Sequence, residues 1–154
     1  GTLLPGIREY TVTPGEKTTT ISGKGKAGLK QEENYYFFYL PVCYKGITGK
    51  SYAYYNTSRS KNLYLPASVD ENYSYDIQLP ENLTLCTPIQ EKKIDNPIGS
   101  FKITLTSEGS SLHIELALQI KKQLITPAEY PAFRSLITEW TDRTRKPILF
   151  KTVQ

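Results

Sequence analysis

The stretch FKITLTSEGSSLHIELALQI, residues 101–120, decides the fold of this chain of 154 residues. Every second residue from Phe101 to Leu105 is apolar, and the same alternation resumes from Leu112 to Ile120. Between these runs, residues 107–110 are the small and polar types that favour turns. Because successive side chains of a strand point to opposite faces, the alternation places one face in a core and the other in water. The stretch therefore predicts an antiparallel β-hairpin.

Further strand patterns extend in both directions from this hairpin. Tyr73 to Leu79 alternates apolar and polar residues, and Pro80 ends the run. The aromatic run Asn34 to Leu40 predicts a strand that is buried on both faces. Residues 147–151 resume an extended, apolar pattern, which favours a strand at the edge of a sheet. With shorter candidates between them, we expect a mainly β fold, an antiparallel β-sandwich of about seven to nine strands.

One amphipathic helix is predicted near the C-terminus, at about 127–141. Thr126-Pro127-Ala128-Glu129 matches a capping box with proline at the first helical position. Four apolar residues then follow at helical spacing and form one stripe, which we expect to share a core with the hairpin: Phe133, Leu136, Ile137 and Trp140. Pro131 cannot donate a helical hydrogen bond, so either the first turn is separate or the continuous helix begins at Pro131.

The pattern divides the chain into two parts. Residues 1–23 carry weak strand signals around Tyr10 to Thr13 and Thr18 to Ser22, which predict an N-terminal arm or an edge hairpin of the sandwich. Residues 24–154 form the predicted sandwich domain with its helix. The chain opens on Gly1 rather than Met, which we take to mark a fragment of a longer protein.

Composition argues against several classes of protein. The net charge is +4, and the basic residues are spread along the chain, so a nucleic-acid surface is not expected. No apolar run approaches the roughly 20 residues of a membrane helix, so direct membrane insertion is not expected. The two cysteines, Cys43 and Cys86, cannot supply a four-ligand metal site. They predict either one disulfide or two buried thiols.

No catalytic constellation is apparent. The single histidine, His113, belongs to the polar face of the predicted hairpin, where a Cys–His nucleophile pair would not form. The glycines between Gly23 and Gly28 lack the spacing and the following helix of a phosphate-binding loop. We therefore predict no catalytic residues, no metal and no cofactor.

The tyrosines, twelve in all, offer the best binding hypothesis. Tyr52 and Tyr54 share one face of a predicted strand, and Tyr73 and Tyr75 share a face of another. Exposed rings of this kind stack on sugars or peptides, although tyrosine is also an ordinary residue of sheet cores and rims. Both interpretations stay open on the sequence.

Three segments carry a resemblance to a known family: Leu40-Pro41-Val42-Cys43, Tyr75 to Pro88 (YDIQLPENLTLCTP) and Ile125 to Trp140 (ITPAEYPAFRSLITEW). Over about residues 24–151 the chain resembles the β-rich domain of unknown function that follows transglutaminase-like domains in bacterial cell-envelope proteins. The resemblance implies a non-catalytic accessory domain whose partners are upstream domains of the parent protein. It also implies a periplasmic or extracellular location. The catalytic Cys-His-Asp set of such proteins belongs to the upstream domain and maps onto no residue here.

Three hypotheses follow, each with its own structural requirement. An accessory domain requires a large apolar or aromatic patch on one face. A glycan- or peptide-binding module requires exposed, coplanar rings. An enzyme requires His113 within hydrogen-bond reach of Cys43, Cys86 or a carboxylate, and inside a pocket.

Overall fold

The computed structural model describes residues 9–26, 28–40, 47, 57–142 and 147–153. This part of the chain is mainly β, with twelve strands and one helix, and four of the strands have only two or three residues. Eight of the twelve strands belong to two four-stranded sheets, in agreement with the seven to nine strands predicted for the sandwich. The elements are β1 (Glu9–Pro14), β2 (Thr19–Lys24), β3 (Lys30–Glu32), β4 (Tyr35–Tyr39), β5 (Leu63–Tyr64), β6 (Val69–Gln78), β7 (Leu83–Leu85), β8 (Gln90–Asn96), β9 (Gly99–Glu108), β10 (Ser111–Ile120), β11 (Leu124–Ile125), α1 (Tyr130–Trp140) and β12 (Pro147–Thr152).

A four-stranded antiparallel sheet with the order β6-β10-β9-β8 forms the first layer, and we call it the large sheet. Its centre is the predicted hairpin, β9 and β10, in which Leu118 faces Phe101 and Ile114 faces Leu105. These four side chains are almost wholly buried, whereas the alternate residues form the outer, polar face. The period-two prediction is confirmed.

The second layer contains α1 and a small sheet with the order β3-β4-β12-β7, which cover different parts of the large sheet. Phe101, Ile103, Leu118 and Ile120 pack with Phe133, Leu136 and Ile137 of the helix. Leu105, Leu112 and Ile114 pack with Leu40, Ile148 and Phe150 of the small sheet and its flank. The β-sandwich prediction is confirmed, and so is the core shared by hairpin and helix.

Two sequence expectations for the small sheet are wrong. β12 does not lie at an edge, because it pairs with β4 on one side and β7 on the other. β4 is not buried on both faces: Tyr36 and Phe38 pack inward, but Tyr35 and Tyr39 are exposed. No element among the described residues covers the outer face of β4, and tyrosine tolerates that position because its hydroxyl stays hydrated.

The helix begins three residues later than predicted. Residues 127–129 form a separate turn, in which the Glu129 carboxylate accepts hydrogen bonds from the backbone N–H (3.1 Å) and hydroxyl (3.0 Å) of Thr126. Lys122 also pairs with Glu129. These bonds hold the pKa of Glu129 at about 2, with Lys122 as the largest cause and Thr126 next. Pro131 lies in the first turn of α1, where backbone N–H groups have no carbonyl partner within the helix. The N–H that proline lacks therefore costs no helical hydrogen bond.

Asn96 connects the turn between β8 and β9 to the helix. Its side-chain oxygen accepts hydrogen bonds from the backbone N–H of Ile98 (2.9 Å) and of Gly99 (3.3 Å). Its amide nitrogen donates to the carbonyl of Ala132 in α1 (3.0 Å). One side chain thus orders the turn and attaches it to the second layer.

The N-terminal hairpin stands apart from both layers. β1 and β2 pair only with each other, with Val12 opposite Ile21, and every described side chain from 11 to 26 is exposed. The two strands confirm the strand signals of the sequence; the domain boundary at residues 23 and 24 stays a prediction. The described part of the chain contains no helix that is long and apolar enough to cross a membrane.

Candidate functional site

The outer side of the small sheet carries a cluster of apolar and aromatic residues. β4 places Tyr35, Phe37 and Tyr39 there, because its alternate residues point inward. In β12, Leu149 lies opposite Phe37 and Pro147 lies opposite Tyr39, so both belong to the same surface. Tyr35 is 47% exposed and Tyr39 is 52% exposed, while Phe37, Pro147 and Leu149 are half-buried. We call these five residues the aromatic face.

The rings of the aromatic face contact one another and a neighbouring cation. Phe37 and Tyr39 meet edge to face with their centroids 5.9 Å apart. Lys30 of β3 places its ammonium group 5.5 Å from the centre of the Tyr39 ring, a favourable cation–π arrangement. The surface is therefore ordered by its own contacts and is apolar at its centre with a charge at its rim. Many protein-interaction surfaces share this arrangement of an apolar centre bordered by polar groups.

Cys86 lies immediately after β7, beside the small sheet. Its backbone N–H donates to the carbonyl of Leu149 at 2.7 Å, and its half-buried Sγ lies 4.0 Å from the carbonyl oxygen of Thr84. Cys43 lies outside the described residues. The disulfide between the two stays a prediction.

Two of the four predicted binding tyrosines lie on the inner face of β6. Tyr73 and Tyr75 stack with parallel rings 6.4 Å apart, and Tyr73 also packs on Trp140 at 5.8 Å. Burial raises the pKa of Tyr75 far above its ordinary value. Both rings are half-buried, so this geometry favours the structural interpretation of the pair. Tyr52 and Tyr54 lie outside the described residues, and ligand stacking on any of the four stays a prediction.

His113 lies on the outer face of the large sheet, as the alternation predicts. Its Nδ1 is 2.7 Å from Asp76 Oδ1 and its Nε2 is 3.4 Å from Glu115 Oε1, while the other Glu115 oxygen accepts from Lys102 at 3.0 Å. The hydrogen bond with Asp76, followed by that with Glu115, raises the pKa of His113. Lys102, more than His113, lowers the pKa of Glu115.

We call the connected side chains of Asp76, His113, Glu115 and Lys102 the ion ladder. It meets one of the two requirements that an enzyme would impose on His113. Carboxylates lie within reach of His113, but the Asp76 side chain is 87% exposed, so the pair is in open solvent and not in a pocket. No hydroxyl or thiol in the described part of the chain hydrogen-bonds to the ring, which is the contact that a histidine base makes with the nucleophile it activates. Within the same residues no cluster of three metal-binding side chains occurs.

The aromatic face was not among the binding residues predicted from the sequence. The run YYFFY is apolar at every position, so its alternation could not be read from hydropathy alone. The only available signal is that Tyr and Phe share the run: tyrosine occupies both outer ends, where a hydroxyl can reach water.

Comparison with known proteins adds a family and a longer relative. Residues 34–150 match the family described as "Domain of Unknown Function with solved-structure structure (DUF3858)". The crystal structure of "a putative protease" from Parabacteroides distasonis ATCC 8503 superposes with a TM-score of 0.70 at 31% identity, over 79% of this chain and 24% of that one. This chain thus spans about a quarter of the length of that protein. No curated protein sequence matches.

Proposed function

Because this chain belongs to the DUF3858 family of domains of unknown function, we propose that it is a non-catalytic accessory domain of a longer bacterial protein. The proposed parent protein carries a transglutaminase-like domain upstream and works in the periplasm or outside the cell. Its chemistry resides in that upstream domain. The present domain packs against the upstream domain through the aromatic face.

The exposed aromatic face is the observation that carries this proposal. Five apolar or aromatic side chains lie side by side on a sheet surface that no described element covers. Single exposed apolar residues are common on soluble proteins, but a contiguous patch usually marks a contact surface. An aromatic side chain buries on the order of 150–250 Å² when fully covered, so three rings would form the centre of an interdomain contact.

The solved relative supports the same view. Its polypeptide continues well beyond the region that this chain matches, so the fold occurs there as one part of a longer protein. The surroundings of His113 are compatible with this role: its partner Asp76 lies in open solvent, and no hydroxyl or thiol among the described residues hydrogen-bonds to its ring. The resemblance to the domain that follows transglutaminase-like domains supplies the identity of the proposed neighbour.

The proposal is tested first on the native polypeptide. An antibody raised against this domain should detect, in extracts of the organism that encodes it, a protein several times heavier than 17.5 kDa. Peptide mass spectrometry of that band should identify transglutaminase-like sequence. A band at the mass of this domain alone would overturn the proposal.

Hydrogen exchange tests the surface. Amides of β4 and β12 should exchange more slowly in the full polypeptide than in the isolated domain, while β6 exchanges alike in both. Phe37→Lys should abolish that protection. Thr104→Lys is a matched control, because it is also a half-buried, outward-facing residue on an inner strand, but of the large sheet. Equal protection with and without the upstream domains would refute the docking surface.

A second candidate, stacking of a glycan or peptide, has one observation in its favour. The exposed rings Tyr35 and Tyr39 share a strand face, and Tyr64 of β5 is 72% exposed. Titration of the isolated domain with cell-wall oligosaccharides, followed by tyrosine fluorescence, distinguishes the two candidates. Binding that disappears in Tyr39→Ala would favour stacking over domain docking.

A further inference from the structure

We propose that a groove along α1 binds a short peptide segment that carries a carboxylate. The groove lies between α1, β8 and residues 58–59, and its volume is about 550 Å³. That volume is within the usual range of ligand sites, roughly 300–1,000 Å³. The groove is formed by other elements than the aromatic face, so this inference does not rest on the accessory role.

The floor of the groove is apolar. Ile94 of β8 lines it together with Pro127, Tyr130 and Pro131 at the start of the helix. Tyr130 is only 3% exposed and packs its ring on Phe133 at 5.7 Å, so this wall is rigid. A rigid floor of proline and tyrosine suits an extended peptide, which can pack on it at little cost in side-chain entropy.

The length of the groove agrees with that occupant. Residues of α1 from Tyr130 to Thr138 line it, and the eight steps between these two residues span about 12 Å at 1.5 Å each. An extended peptide rises about 3.3 Å per residue, so three to four residues fit along the helix. The side chains of Ser58 and Thr138 lie at the rim, where their hydroxyls can bond to a peptide backbone.

The charges of the groove select a carboxylate. Arg59 holds its guanidinium carbon 5.7 Å from the centre of the Tyr130 ring, which orients it. Arg134 lies one helical turn from Tyr130, is exposed, and forms no ion pair with any described residue. The acid of the groove, Glu139, pairs with Lys92 at 2.5 Å. A guanidinium binds a carboxylate through two parallel hydrogen bonds, so Arg134 is the group we assign to the ligand charge.

The test compares two blocked tetrapeptides, Ac-Ala-Leu-Glu-Ala-amide and its glutamine counterpart, titrated into the ¹⁵N-labelled domain. We expect the glutamate peptide to bind about tenfold more tightly, as one added charge-assisted contact provides. The shifted amides should cluster at Ile94, Ser135 and Thr138. The affinity for the glutamate peptide should fall with added salt because Arg134 is exposed to solvent. Equal affinity for the two peptides, or shifts confined to another surface, would overturn the assignment.

Variants of the domain separate the charge from the shape of the groove. Arg134→Gln should weaken binding of the glutamate peptide about tenfold and remove its advantage over the glutamine peptide. Arg134→Lys should retain part of that advantage. Thr138→Trp should block the groove from an exposed position without altering the core. Lys93→Gln, an exposed cation on the outer face of the large sheet, is the control and should change nothing. Competition by inorganic phosphate at the concentration of the peptide would show an unspecific anion site and overturn the peptide assignment.

Discussion

Gly99 begins β9 where this strand lies very close to β10. A Cβ atom at Gly99 would lie 1.8 Å from the carbonyl oxygen of Gln119 and 3.1 Å from Cα of Ile120. Non-bonded heavy atoms approach to about 3.5 Å, so Gly99→Ala requires one backbone segment to retreat by roughly 1.5 Å. The obstacle is backbone of a central strand, which cannot rotate away as a side chain can. We therefore predict that this single methyl group destabilises the domain.

The size of the effect follows from the surroundings. Overpacking costs about 1–3 kcal/mol in general, and the upper value applies here because Ile98 and Phe101 beside the glycine are fully buried. The displacement also strains the hydrogen bond from Lys121 N–H to the Ile98 carbonyl, now 2.9 Å long. We expect Gly99→Ala to lower the free energy of unfolding by about 3 kcal/mol. At about 2–4 °C per kcal/mol for a domain of this size, Tm should fall by roughly 6–12 °C.

Urea unfolding followed by circular dichroism measures this difference, with two other glycines as controls. Gly28→Ala meets no atom within 4 Å and should change stability by less than about 0.5 kcal/mol. Gly109 has open space but a φ of +58°, so Gly109→Ala should cost about 1–2 kcal/mol through backbone strain alone. If Gly99→Ala lies within 0.5 kcal/mol of wild type, or is milder than Gly109→Ala, the close-approach argument is refuted.

Three further predictions concern single polar groups. Asn96→Ala should lower the free energy of unfolding by about 1–3 kcal/mol in urea, because two turn N–H groups and a helix carbonyl lose their partner. An NMR titration should place the pKa of His113 above 6.5, and Asp76→Asn should lower this pKa. The stability that the raised pKa confers is complete below about pH 6.5 and fades as pH rises through the pKa of the folded state. Glu129 confers stability above its ordinary pKa of 4.5 that fades as pH falls towards about 2, and Glu129→Gln should remove this part of the acid dependence. A Glu129→Gln profile that parallels wild type between those pH values would contradict the capping geometry.

Strand patterns could be predicted wherever one face is buried and the other is polar. The hairpin of β9 and β10 and the strand β6 show that alternation, and the structure places each of them as the sequence indicates. The two faces of β4 could not be predicted in this way. All five of its residues are aromatic, so its sequence shows no alternation of apolar and polar types. Which face of β4 is exposed depends on the element that packs against the strand, and the local sequence does not encode that partner.

The candidate sites show the same limit more sharply. The aromatic face joins β4 to β12, more than a hundred residues apart in sequence. The groove joins α1 to β8 and residues 58–59, and neither surface has a motif of its own. The alternation places Tyr73 and Tyr75 on one strand face, but whether that face is inner depends on the elements that pack on it, the helix for Tyr73 and the small sheet for Tyr75.

By itself, the sequence determined the mainly β class, the central hairpin, the amphipathic helix and the polar position of His113, because each depends on periodicity within one segment. Only the tertiary structure decided that β12 is central, that β4 shows its tyrosines to solvent and that two arginines border one groove. These features arise from contacts between segments distant in the chain, where burial depends on the partner that packs opposite and not on the residues alone.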